Sequence, residues 1–322
     1  MWKTIFRRFL ILIPQLAALS ILIFFLGHLM PGEPLRHLAG PGMTAEQLEG
    51  IREARGLNDP WYIQYVRWMR GIFTEFDFGN SLTQMRPATE VIGDRVFNTM
   101  RLSFLTTIFT YLIAIPLGII AARKKDTAID KGIMIYTFVA LSMPTIVFGL
   151  INLLIFGFNL GWFPTLGSVN NAADAAGGLT RFFSQMHHAV LPALTLALIS
   201  TTGIIYFLRS EIIENDASDF VTTARSKGVP ENRVYTRHIL RNALLPVAGS
   251  FGSIFAGLFM GSIFIERVFA FSGMGDLFIS SIMGQDWTVA NTLILFYAVL
   301  IVISMLLTDI LITIIDPRIR IK

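Results

Sequence analysis

Few residues in this sequence could carry chemistry, and their spacing excludes most reactions. His187 and His188 are adjacent; on a helix two neighbours point about 100° apart and make a poor chelate. No H-E-x-x-H occurs, and no G-x-x-x-x-G-K-[ST] that would hold ATP in a P-loop. Cysteine is absent, which removes disulfides, thiolate metal sites, a cysteine nucleophile and cysteine-linked lipids. Gly273-Met274-Gly275 resembles a piece of a dinucleotide fingerprint, but it lacks the third glycine and a preceding strand, so a turn is the plainer reading. Asp309 lies in an apolar run, where a carboxylate suggests a proton relay. The competing reading is an ion pair near the end of that run, and the absence of a second titratable group nearby favours it. These residues predict no catalytic group, no metal site and no cofactor of the chain's own.

The elements that would position any site are membrane spans. Of 322 residues, 53% are apolar and only 15% are charged, and the mean hydropathy is +0.61. Soluble domains are about 25% charged, so a water-soluble enzyme, a disordered chain and a nucleic-acid-binding module are poor readings. Six segments have the length and apolarity of spans: Phe9–Met30, Leu102–Ala122, Gly132–Phe158, Ala189–Leu208, Val247–Ile265 and Asn291–Ile315. Pro116 and Pro144 fall inside two of them and are expected to be tolerated there. The first segment is too long for a signal peptide and has no small-residue cleavage site, so it reads as an uncleaved anchor.

Lysine and arginine placement predicts the orientation. Sixteen of the 26 basic residues, with all six lysines, fall in residues 1–8, 123–131, 209–245 and the tail. Both termini are therefore expected in the cytoplasm. The organisation expected is an N-terminal transmembrane helix (1–30), an extracytoplasmic helical insertion (31–98), a transmembrane domain (99–316) with a cytoplasmic loop (209–246), and a cytoplasmic tail (317–322). In the insertion, Thr44 and Gln47 form a capping-box pattern, and Asp59-Pro60 reads as N-cap and first-turn proline. Trp61, Tyr65 and Trp68 then recur at helical spacing. They suit either an extracytoplasmic partner or packing on the bilayer interface or the insertion's own core. Ala172–Gly178 reads as a flexible loop tip.

Two further patterns stand out. Gly249, Ser253, Gly257 and Gly261 are each four apart and make a flat stripe on one helix face. Such a stripe reports close helix approach, at a subunit or pore interface or within the chain. Residues 209–246 stay in the cytoplasm for nearly forty residues. Ser218 or Asp219 can cap a short helix ending at Lys227, with Gly228 as its left-handed terminator, and Pro230 opens a second helix. Phe220, Val221 and Ala224 give the first helix an apolar face, which is expected to be exposed unless a partner covers it.

That segment carries a resemblance. Asp219-Phe220-Val221-Thr222-Thr223-Ala224-Arg225-Ser226-Lys227-Gly228, then His238 and Arg241-Asn242-Ala243-Leu244-Leu245-Pro246, closely resembles the "EAA" coupling loop of bacterial ABC importer permeases of the dipeptide/oligopeptide/nickel group. Met30-Pro31-Gly32-Glu33-Pro34, Gly56-Leu57-Asn58-Asp59-Pro60, Gln64-Tyr65-Val66-Arg67-Trp68, Asp77-Phe78-Gly79-Asn80-Ser81-Leu82, Leu160-Gly161-Trp162-Phe163-Pro164 and Asp316-Pro317-Arg318-Ile319-Arg320 agree along the chain. The long segment after the first span resembles the B-type subunit. Phe220 stands for the family's Tyr, Ser226 for Ala, and Ser272-Gly273 for Pro-Gly. The resemblance implies an all-α type I importer transmembrane domain in a bacterial plasma membrane. Its implied partners are a homologous second permease, two ABC ATPases inside that bind ATP and Mg, and a solute-binding protein outside. It also implies that Asp219, Phe220, Val221, Ala224, Arg225, Lys227, Gly228, Arg241, Asn242 and Pro246 form the loop that couples the ATPases to the pore.

An ion-coupled secondary transporter is the rival transport reading. It should show internal repeats, broken helices and polar midplane sites, and only the prolines and Asp309 point that way. An intramembrane enzyme would need paired catalytic groups. The substrate expected from overall resemblance is an oligopeptide, ahead of dipeptides, nickel chelates and glutathione.

Overall fold

Long apolar runs become long helices in the computed structural model, which describes residues 2–29, 44–54, 56–249, 257 and 263–315. Among the described residues no strand forms beyond a single antiparallel bridge, Asn80 to Pro87. Ala88–Arg123, Gly178–Asp216 and Trp287–Leu306 are each long and apolar enough to cross a membrane. The first helix, Trp2–Leu29, runs 28 residues, a span's length. The fifth expected span lies largely outside the described residues.

The third expected span differs from the sequence reading. It is not one rod but two helices, Ala128–Ser142 and a second segment beginning at Thr145, bent by 109° at the break. Pro144 is the cause. It has no N–H to continue the ladder, and it forces Met143 into an extended conformation (φ −84°, ψ 128°). Pro14, Pro116 and Pro192 stay inside unbroken helices. The second helix, Thr145–Asn152, widens into a π-helical stretch over Leu153–Asn159. Ala172–Gly178 also departs from expectation. Asn170 caps Ala172 N–H at 2.9 Å, and Asn171–Ala176 is a helix.

The chain forms two compact units, one of residues 1–99 and 272–303, the other of residues 100–271 and 304–322. In the first unit the capping box forms as read: Thr44 N–H donates to Gln47 Oε1 at 3.0 Å, and Gln47 N–H to Thr44 Oγ1 at 3.3 Å. Helix Trp61–Glu75 starts one residue later than expected, with Pro60 at the N-cap, while Asp59 pairs with Arg67. The aromatic stripe packs on the chain's own first helix. Phe24 meets Tyr65 and Trp68, Phe25 meets Trp61, and the Ser20 and Tyr65 hydroxyls are 2.8 Å apart.

The same unit holds a buried carboxylate that the sequence reading did not single out. Asp286 is 1% exposed. Its Oδ2 accepts from the Ser81 hydroxyl and from the Thr83 amide and hydroxyl, and its Oδ1 accepts from Val289 N–H. Asp286 thus caps the last helix, Trp287–Ile315, and ties its start to the turn after Asp77-Phe78-Gly79. Gly79 is required there, because its φ is +88° and a Cβ would come within 2.9 Å of Thr288 Cγ2.

Candidate functional site: the segment 209–246

Helix Gly178–Asp216 ends in a tight turn, and Asp219–Ser226 follows as a separate helix with Ser218 at its N-cap. The helix ends one residue before the expected Lys227, which forms its C-cap, and Gly228 terminates it as the sequence predicts. Gly228 adopts φ +74°, its N–H reaches Arg225 O at 2.9 Å, and Val229 N–H reaches Ala224 O at 3.2 Å. A left-handed residue followed by a return bond to the last turn is the glycine-terminated helix end. Glu231–Arg233 then starts a helix that passes through a π-helical stretch, Val234–Ile239, into Leu240–Gly249.

The two faces of the short helix separate clearly. Val221 is 0% exposed and Ala224 7%, in one cluster with Ile205, Leu208, Ile212, Val234, Tyr235 and Ile239. The expectation that these two residues lie bare is therefore corrected. The helix covers its own apolar face by folding back on the elements either side of it, a contact that an eight-residue pattern cannot show. Phe220 keeps 42% of its surface exposed. Asp219, Lys227 and Gly228 are exposed beside it, and a Cβ on Gly228 would meet no atom within 4 Å.

Charge ties the segment together. Arg225 donates through Nη2 to Asp216 Oδ1 and Glu231 Oε1, both at 2.6 Å, and through Nε to Glu231 Oε2 at 3.1 Å. It thereby bridges the helix before the loop and the helix after it. The Arg225 guanidinium holds the Glu231 carboxyl below its ordinary range, and the two carboxylates raise Arg225 in turn. Two contacts link the segment to earlier helices. Arg209 grips Asp130 through two bonds of 2.7 Å, and Asp126 N–H also donates to Asp130 at 2.8 Å. The Arg123 guanidinium lies 4.2 Å from the centre of the Tyr235 ring.

The structure thus brings Asp219, Phe220, Val221, Ala224, Arg225, Lys227 and Gly228 into one capped unit. Arg241 and Asn242 are exposed on Leu240–Gly249, the helix that also carries Pro246 and Gly249. Of the rest of the small-residue stripe, Ser253 and Gly261 lie outside the described residues. Gly257 is exposed, with open space where a Cβ would be. Asp130, Arg209 and Tyr235 were missed by sequence reasoning. The basic run 123–131 was read for orientation only, and no local signal pairs it with Arg209.

Comparison with known proteins agrees along the chain. Residues 114–321 match the family model described as "Binding-protein-dependent transport system inner membrane component", and residues 1–103 match the model for the N-terminal part of such membrane components. The oligopeptide transport system permease protein AppB of Bacillus subtilis (strain 168) is 38% identical over 317 residues, covering 98% of each chain. The glutathione transport system permease protein GsiC of Salmonella paratyphi A is 32% identical over 322 residues, covering 100% of each. Among solved structures, an inward-facing MetNI methionine ABC transporter matches in fold, with TM-score 0.57, 14% identity, and coverage of 70% of this chain and 97% of that one. Mostly helical in its described residues, and matched over almost its whole length, the chain belongs to the inner-membrane components of binding-protein-dependent transport systems, with the type I ABC importer transmembrane fold.

Proposed function

We propose that this chain is the B-type permease subunit of a peptide importer, forming half of its pore, with oligopeptides as the cargo. The relatives named for oligopeptide and glutathione transport support a cargo built on amide bonds. The chain pairs with a homologous permease. Two ATPase subunits, which bind the ATP and Mg, dock on the cytoplasmic side, and a solute-binding protein delivers cargo outside. Both termini face the cytoplasm of a bacterial cell, in keeping with the lysine and arginine bias. The chain holds no cofactor and hydrolyses nothing itself.

The observation that carries the coupling role is the two-faced helix Asp219–Ser226. Its inner face is buried through Val221 and Ala224, and its outer edge offers Phe220 and the uncrowded Gly228. A partner gains a hydrophobic anchor and close backbone approach there, while the inner face holds the helix on the spans. The experiment is reconstitution with the second permease, the ATPases and the binding protein in liposomes. Uptake of labelled tri- to pentapeptides should depend on ATP and on every subunit. ATP turnover by the purified chain alone, or uptake without the ATPases, would overturn the reading.

A further inference from the structure

The first compact unit contains an apolar cavity of about 850 Å³. Four elements wall it: helix Trp2–Leu29 through Leu16, helix Trp61–Glu75 through Ile72, the start of Ala88–Arg123 through Gly93, and the last helix through Phe296. Among the described residues, three hydroxyl side chains border it, Ser20, Thr89 and Thr292, and no charged side chain does. Two of these hydroxyls are already engaged. Ser20 donates to Ala17 O at 2.8 Å and meets the Tyr65 hydroxyl, and Thr292 donates to Thr288 O at 2.7 Å.

We infer that this cavity is a lipid site that holds a phospholipid acyl chain. The chemistry of the wall decides the occupant. A peptide entering it would bring amide groups, and each would lose water without gaining a partner. An acyl chain brings none. Water is a poor filler, since apolar cavities of about 150 Å³ already stay dry and take up hydrocarbon instead. Left empty, the wall would forfeit its dispersion contacts on one side. The space exceeds such a small cavity several-fold, which suits a length of chain rather than a single ring. The supply is at hand, because two of the walls belong to segments with the composition of membrane spans. The inference needs only the membrane location of the chain, and it stands or falls independently of the coupling role.

Gly93 makes the test direct. It lines the cavity, and a Cβ there would meet nothing within 4 Å, so Gly93→Phe should fill the space without displacing the backbone. The assembled importer is reconstituted in vesicles of phosphatidylethanolamine and phosphatidylglycerol. These carry a trace of phosphatidylethanolamine with a diazirine midway along one acyl chain. After irradiation, labelled peptides are mapped and normalised to total labelling of the chain. Wild type should label at Ile72 or Phe296, and Gly93→Phe should reduce that labelling at least five-fold. Ala17→Phe, from the wall formed by the first helix, serves if Gly93→Phe does not insert. Absence of label at these residues in wild type, or equal label in the filled variants, overturns the inference. So does loss of label on adding saturating peptide, which would make the cavity a cargo site, or crosslinking of these residues to the second permease in place of lipid.

Discussion

Removing the side chain of Phe220 tests whether the outer edge of the short helix is a docking surface. Phe220 retains 42% exposure within this chain. A phenylalanine buries about 200 Å² when fully covered, so about 85 Å² remains for a partner to cover. At about 25 cal/mol per Å² that area is worth about 2 kcal/mol, which is about a thirty-fold change in affinity. The part of the side chain already covered within this chain is the same in the free and bound permease, and so cancels from an association measurement. Phe220→Ala should therefore weaken binding of the ATPase subunits to the nanodisc-embedded permease pair about thirty-fold in a titration. ATP turnover at saturating ATPase should recover most of its wild-type value, because the variant loses docking and not the backbone path. Limited proteolysis of the free permease should give the wild-type pattern across the loop. An affinity within two-fold of wild type would refute the reasoning, since an anchor of this size cannot be removed from an interface without a measurable loss.

Four other outcomes follow from the geometry. Gly228→Val must hold φ +74° with a β-branched side chain, a strain of about 1–2 kcal/mol, yet no atom of this chain stands in its way; insertion should persist while peptide-stimulated ATP hydrolysis and uptake fall, and wild-type uptake would show that the turn carries no load. Ala224→Glu should loosen the loop even without an ATPase, because the carboxylate would enter the buried cluster; unchanged amide-exchange protection across the helix Asp219–Ser226 in the isolated permease would contradict the burial. Asp286→Ala leaves the Ser81 and Thr83 donors and one helix-end amide without their acceptor, and should cost about 3 kcal/mol, read as a lower Tm, whereas an unchanged Tm would show that water replaces the carboxylate. Glu231 has its folded pKa lowered from 4.5, so its bridge to Arg225 is present above that value and is lost as pH falls through the folded pKa; loop proteolysis with an acid-active protease should rise below about pH 4.5 in wild type and be flatter in Arg225→Gln, and parallel curves would remove the bridge from the account.

What was legible in the sequence was what short-range chemistry decides. The Thr44–Gln47 box forms because both bonds close within four residues. Gly228 ends its helix because the left-handed turn needs no distant support. Pro144 shows the limit. Pro14, Pro116 and Pro192 lie inside apolar helices that run on through them, whereas the chain bends sharply at Pro144, after Met143. Whether a chain bends at a proline or continues through it depends on what packs around the freed carbonyl, which spacing does not reveal. Asp286 shows the same limit at longer range. An acidic residue just ahead of a long apolar helix is a cap signal, but its partners Ser81 and Thr83 lie more than 200 residues away. Val221 and Ala224 were placed on the correct face of the correct helix. What covers that face was misread, because periodicity defines a face and not its neighbour.

That correction changes the mechanics of the proposed coupling. A loop held only by a partner would transmit little, since it would yield when pushed. This one is fastened to the permease before any partner arrives. Val221 and Ala224 are packed among Ile205, Leu208 and Ile212 of the preceding helix and Val234 and Ile239 of the following one. Arg225 clamps Asp216 to Glu231 across the turn. Arg209 fixes the same long helix to Asp130, at the start of the bent pair, and Arg123 stacks on Tyr235. Packed side chains and ion pairs of this kind are a contiguous physical path between an outer face and the spans. On the proposed reading, a displacement applied at Phe220 and Gly228 therefore moves helices Gly178–Asp216 and Leu240–Gly249 together, because the loop's own contacts would have to break before it moved alone. Substitutions on the inner face should then damage the lever, and those on the outer edge only its grip, so the two classes separate by whether the isolated permease already shows the defect.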